Sequence, residues 1–174
     1  MTSSSTSFVQ APWAQDLVNG DPVLLRAWKA QQAEFGPGRA PAAAGSSSLW
    51  LGHLVGRVAG PRWLWALETD VGHRRVLSWN RLRHWDRPYA RMALDTRPQH
   101  WPALYRRGAL DLAQLVSPWW GRYPVGREAF VAGVREGMEA VILERLRTNE
   151  PAVVAAMRQA VDRIVSGFEP TLDP

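Results

Sequence analysis

A chain of 174 residues holds one domain, or one domain with a detachable arm. At 46% hydrophobic and 21% charged, with no Cys, it is built to bury a core. Those figures exclude a collagenous, acidic-disordered or disulfide-stapled chain, as well as thiolate nucleophiles, iron–sulfur clusters and Cys-ligated zinc. The formal net charge is +5, only Lys29 among 21 basic residues is not Arg, and ten Trp outnumber three Tyr and four Phe.

The first residues, MTSSSTSFVQ, carry neither the basic n-region nor the apolar h-region of a secretory signal and read as a short disordered tail. Together with the lack of Cys, this points to a reducing, cytoplasmic setting. Asp21-Pro22 and Gly36 then bracket a helix, because Asp caps an N-terminus, Pro is tolerated in the first turn and Gly suits the left-handed C-cap. Leu24, Leu25, Trp28 and Phe35 fall on one face of it, an apolar stripe that must dock on its own domain or on a partner. Residues 36–48 are rich in Gly, Pro, Ala and Ser and read as a linker. Residues 1–48 are therefore expected to be tail, amphipathic helix and flexible linker, and 49–174 a single domain.

From Leu49 the pattern predicts three strands of a small antiparallel meander: Leu49 to Val58, Arg62 to Glu68, and His73 to Leu82. Ala59-Gly60-Pro61 and Asp70-Val71-Gly72 supply the turns. Trp63, Trp65 and Leu67 share a face by alternation, as do Arg75, Leu77, Trp79, Arg81 and Arg83. Leu49 to Val58 is the most apolar run, but His53 and Arg57 interrupt it, so no membrane span is expected.

Beyond Trp85 the pattern is helical. Asp86 and Pro88 open a short helix to Leu94, and after Pro98 and Pro102 a longer one runs from Ala103 to Val116. Ser117-Pro118-Trp119-Trp120-Gly121 is a rigid aromatic loop. The last third predicts an αα-hairpin. Its first helix, Arg127 to Arg147, has the stripe Phe130, Val131, Val134, Met138, Val141 and Ile142. Its second, after Glu150-Pro151, has Val153, Val154, Met157, Val161, Ile164 and Phe168, again at spacings of three and four. Gly133-x-x-x-Gly137 admits a close helix neighbour, most simply inside the fold. The expected class is thus α+β, a β-meander with a mainly helical C-terminal half.

Catalytic patterns are absent. The four His show no His-x3-His or His-Glu-x-x-His spacing, and there is no Gly-x-Ser-x-Gly elbow, Walker A loop or Gly-x-Gly-x-x-Gly turn. His84 with Asp86 is a surface pair before it is a metal site, and Glu136 with Glu139 reads as a solvated helix face. Glu68 with Asp70 is the other carboxylate pair. No cofactor or metal is expected.

The charge is local. Residues 57–127 carry 13 Arg against five acids, whereas 1–56 balance and 128–174 carry five Arg against eight acids. Seven of the ten Trp share that basic centre. Between Arg74 and Arg87, five Arg accompany Trp79 and Trp85; guanidinium forks bind phosphates and indoles stack on unpaired bases. Arg74, Arg75, Trp79, Arg81, Arg83, Trp85, Arg87, Arg91, Arg106 and Arg107 are the candidate binding residues. Trp119 and Trp120 suit either a core plug or a partner anchor. The expected function is a non-catalytic cytoplasmic protein that contacts nucleic acid, for example as a subunit of a nucleoprotein complex. A protein-binding accessory factor, such as a chaperone, inhibitor or immunity-type protein facing an acidic partner, is the alternative, since Trp and Arg also dominate protein hot spots.

Overall fold

The computed structural model describes residues 10–35, 46–75, 100–146 and 150–172. Six α-helices run through them: α1 (Pro12–Gly20), α2 (Pro22–Phe35), α3 (Ser47–Arg75), α4 (Trp101–Val116), α5 (Arg127–Leu146) and α6 (Pro151–Phe168), with a short 3-10 turn over Glu169–Leu172. No strand occurs among the described residues. The fold is therefore all-helical, which corrects the α+β expectation and its meander. The first two expected strands, both expected turns and the start of the third strand lie within the single helix α3. Residues 76–82 of that third strand and the short helix from Asp86 to Leu94 lie outside the described residues.

The reason is visible in how α3 is packed. Trp50, Leu51, Leu54, Val55, Ala59, Trp63, Leu64, Ala66 and Leu67 are all buried, and so is His53. A helix covered on most sides shows no polar stripe, so its 3.6-residue period is invisible in the sequence. Gly60-Pro61 resembles a turn, yet Pro61 sits inside the helix. Gly60 is needed elsewhere: a Cβ there would come within 3.3 Å of the Met138 carbonyl on α5.

That approach belongs to a glycine seam. Gly52, Gly56 and Gly60 on α3 face Gly133 and Gly137 on α5. A Cβ at Gly52 would strike the Phe130 carbonyl and one at Gly56 the Val134 carbonyl; Cβ atoms at Gly133 and Gly137 would strike the carbonyls of Leu49 and His53. The partners advance together along both chains, so the two helices run parallel. With no side chains between them, the backbones meet and Cα–H groups point at carbonyl oxygens, a weak but repeated attraction. Gly133-x-x-x-Gly137 is thus an internal packing contact.

The remaining elements wrap this pair. The α5 and α6 stripes expected from the sequence are buried, apart from the half-buried Val154. Gly108 of α4 lies against Ile164 of α6, where a Cβ would approach within 2.9 Å of the Ile164 side chain. Asp21 caps α2, its Oδ1 accepting from the Val23 and Leu24 amides at 3.0 and 3.2 Å. The α1–α2 pair joins the same core, with Trp28 edge-on to Trp50 at 5.1 Å between ring centres. Ser47 and Ser48 fasten the start of α3 on two sides, accepting from the Ala11 and Gly126 amides, both at 2.8 Å.

Candidate functional site

Among the described residues, an open groove of ≈ 720 Å³ between α3 and α4 combines exposed aromatic, apolar and basic side chains. Helix α3 contributes Pro61, Arg62, Trp63, Trp65 and Ala66. Helix α4 contributes a stripe at spacings of three and four, Ala103, Arg106, Arg107, Leu110 and Gln114, with Asp111 at its edge. From Ala103 to Gln114 that stripe is about 16 Å long at 1.5 Å per residue. A site of this size lies within the range of small-ligand and peptide clefts.

The contact between the two helices lies beneath the groove. Trp63 turns inward, 2% exposed, and its Nε1 donates to the Leu104 carbonyl at 3.0 Å. Its ring stacks on Trp101 at 6.3 Å, and Trp101 on Tyr105 at 5.7 Å. Trp65, two residues on, is rotated about 200° around the helix and stands 55% exposed. Leu110 on α4 is 56% exposed. The strand alternation that grouped Trp63 with Trp65 is therefore corrected: both border the groove, but on the helix Trp63 is buried and Trp65 stands exposed.

The groove is basic. Among its described lining residues the one carboxylate, Asp111, is engaged by Arg62 at 3.3 Å, and its second oxygen is enclosed without a hydrogen-bond partner. Arg106 and Arg107 are exposed and make no ion pair among the described residues. They stand three and four residues before Leu110, so cation and apolar side chain share one surface.

Of the residues expected to bind, Arg106 and Arg107 are brought beside this groove. Arg74 and Arg75 occupy the last turn of α3. Trp79, Arg81, Arg83, Trp85, Arg87 and Arg91 lie outside the described residues. Trp119 is a core plug rather than an exposed anchor: it is 5% exposed and edge-on to Phe130 at 5.8 Å. Trp120 is half-buried, packs on Phe130 at 5.3 Å and donates its Nε1 to the Leu172 carbonyl at 3.2 Å. The turn that sets both rings closes from the Trp119 carbonyl to the Arg122 amide at 3.1 Å, with Gly121 at a left-handed φ of 89°. Trp65, Arg62 and Leu110 were not among the expected site residues; a spacing of three joins Arg62 to Trp65 on α3, and Leu110 comes to them from α4 through the fold.

Among the described residues, polar groups that could support catalysis do not converge. His53 is 4% exposed in the glycine seam, where burial and then the neighbouring Arg57 charge lower its pKa to about 4. His100 lies just before α4, and His84 and Asp86 lie outside the described residues. Glu139 pairs with Arg158 at 2.8 Å, and Glu136 lies beside it along a shallow depression on α5. Among the described residues no group of three or more His, Asp and Glu is placed to hold a metal ion. None of their helices is long and apolar enough to cross a membrane. Comparison with protein-family models, curated proteins and solved structures finds no match to this chain.

Proposed function

We propose that this protein is a non-catalytic cytoplasmic binding protein whose Arg/Trp-rich centre contacts nucleic acid within a nucleoprotein complex. The observation that carries this reading is the pair Arg106 and Arg107, exposed and without ion-pair partners among the described residues, beside the exposed indole of Trp65. Guanidinium forks suit phosphate oxygens, and the 13 Arg of residues 57–127 give the surrounding chain the matching sign. The absence of Cys agrees with a reducing compartment.

The test is binding of the full chain to single- and double-stranded oligonucleotides across a salt series. Counterion release makes affinity fall steeply with salt, and Arg81→Ala or Arg83→Ala lowers the slope by about 0.7–0.9 for each phosphate the side chain neutralises. No binding at low salt overturns the reading.

A second reading, a protein-binding accessory factor with an acidic partner, is favoured by one feature. Trp65 and Leu110 are large apolar side chains, both more than half exposed, in one groove. It requires a complex that survives nuclease digestion when the protein is captured from its host.

A further inference from the structure

We propose that helices α1 and α2 form an arm that opens from α3 as one unit, before the rest of the fold unfolds, and so governs access to the Trp50 face of α3. This goes beyond the nucleic-acid reading and does not depend on it.

The closed interface carries a defect at its centre. Leu24, Trp28 and Gln31 follow one another at spacings of four and three, so they share one face of α2, and all three are buried. Trp28 meets Trp50 of α3 edge-on at 5.1 Å. Gln31, one turn further on, is 2% exposed, and its Oε1 has no hydrogen-bond partner. Trp50 is 1% exposed, and its Nε1 is equally enclosed and unpartnered. An acceptor and a donor are thus taken from water without replacement, and opening returns both to it. The α3–α5 seam is made differently, of backbone against backbone.

The other described ties of the arm lie at its ends. The Ala11 amide donates to Ser47 Oγ at 2.8 Å, the Trp13 ring lies 6.5 Å from that of Tyr123, and Glu34 pairs with Arg57 at 3.3 Å. The Glu34 side chain is 46% exposed, so solvent screens that pair and it contributes little. Within the arm the two helices hold each other. The Asp21 amide donates to the Val18 carbonyl at 3.2 Å while its Oδ1 caps α2, and Ala14, Leu17, Val18 and Leu24 are buried. They therefore move together. Residues 36–45, which join α2 to Ser46, are three Gly, two Pro, four Ala and Arg39, so the sequence puts no large apolar side chain there for opening to expose.

Native-state hydrogen exchange on the full chain, followed at urea concentrations below the unfolding transition, tests this. The α1 and α2 amides are expected to exchange at one shared free energy, lower and with a shallower urea dependence than that of the α5 amides. Gln31→Leu removes the unpartnered acceptor at similar volume and should raise α2 protection about 5- to 150-fold. Trp28→Ala should abolish α2 protection while the α5 amides stay slow, with helix content followed by circular dichroism. A single free energy and urea slope for α2 and α5 in the parent overturn the proposal, because the arm is then part of one cooperative unit. A gradient of free energies along α1 and α2 also overturns it, since that is fraying residue by residue. So does a Gln31→Leu protein whose α2 amides exchange as fast as the parent's or faster. Protection lost in both α2 and α5 of Trp28→Ala overturns it as well, since the body then does not stand without the arm.

Discussion

Gly137 and His53 meet backbone to backbone: a Cβ on Gly137 would fall on the His53 carbonyl oxygen, and the same relation links Gly133 to Leu49 one turn earlier. The parallel α3–α5 pair at the centre of this protein is held at a distance only glycine permits. The consequences reach stability, acid sensitivity and the site.

Gly137→Ala and Gly56→Ala are expected to destabilise the protein. Overpacking costs about 1–3 kcal/mol, and here the obstacle is backbone, which cannot rotate away. The gain of about 1 kcal/mol that Ala brings to a helix does not offset it. Gly20 is the control, because nothing lies within 4 Å of a Cβ there; Gly20→Ala should be neutral or mildly stabilising. Urea unfolding midpoints read all three. A stabilised Gly137→Ala protein would contradict the seam.

His53 gives the seam an acid response. Its pKa is about 4 in the folded chain against an ordinary 6.5. The unfolded chain therefore takes up this proton first. The contribution is fully present above pH 6.5, is lost as pH falls towards 4, and changes no further below, where both states are protonated. The full effect is on the order of 3 kcal/mol, and the α5 residues that meet the His53 backbone, Gly133 and Gly137, carry no charge. Carboxylates titrate nearby, so the informative measurement is the parent chain minus His53→Gln, by unfolding at about pH 7.5, 5.5 and 4. A pH-independent difference would remove His53 from the account.

Trp63→Phe and Trp65→Phe should separate cleanly. The first loses the bond to the Leu104 carbonyl and leaves a smaller ring at a site 2% exposed. It should cost about 1–3 kcal/mol. The second changes an exposed ring and should stay within about 0.5 kcal/mol. Equal losses would indicate that the two rings share an environment.

Asp21→Ala removes the cap whose Oδ1 accepts from the Val23 and Leu24 amides. A loss of about 1 kcal/mol is expected, and Asp21→Asn should restore most of it. Thermal melts of the two variants decide it.

Much of the helical periphery is legible in the sequence. Asp21-Pro22 marks the start of α2, and Glu150-Pro151 that of α6. The stripes Phe130 to Ile142 and Val153 to Phe168 mark two helices with one dry face each. Helix α4 is expected from Ala103 to Val116 and runs from Trp101 to Val116. These elements border solvent, so their period survives in the sequence. The central helix is not legible for the opposite reason. Residues of α3 are buried on most sides, its glycines serve a neighbour, and Gly60-Pro61 imitates a turn. The candidate groove is hidden for the same cause: strand alternation groups Trp65 with Trp63, whereas the helix buries Trp63 and leaves Trp65 exposed.

By itself the sequence determined the local basic charge, the absence of thiol chemistry and the helices with one wet face. Those depend on composition and on neighbours close along the chain. Tertiary structure alone decided that α3 is a helix, that Trp63 and Trp119 are core, and that Trp65 shares a groove with Arg106, Arg107 and Leu110. Each of these depends on what residues distant in sequence place against a given side, and no local period records that.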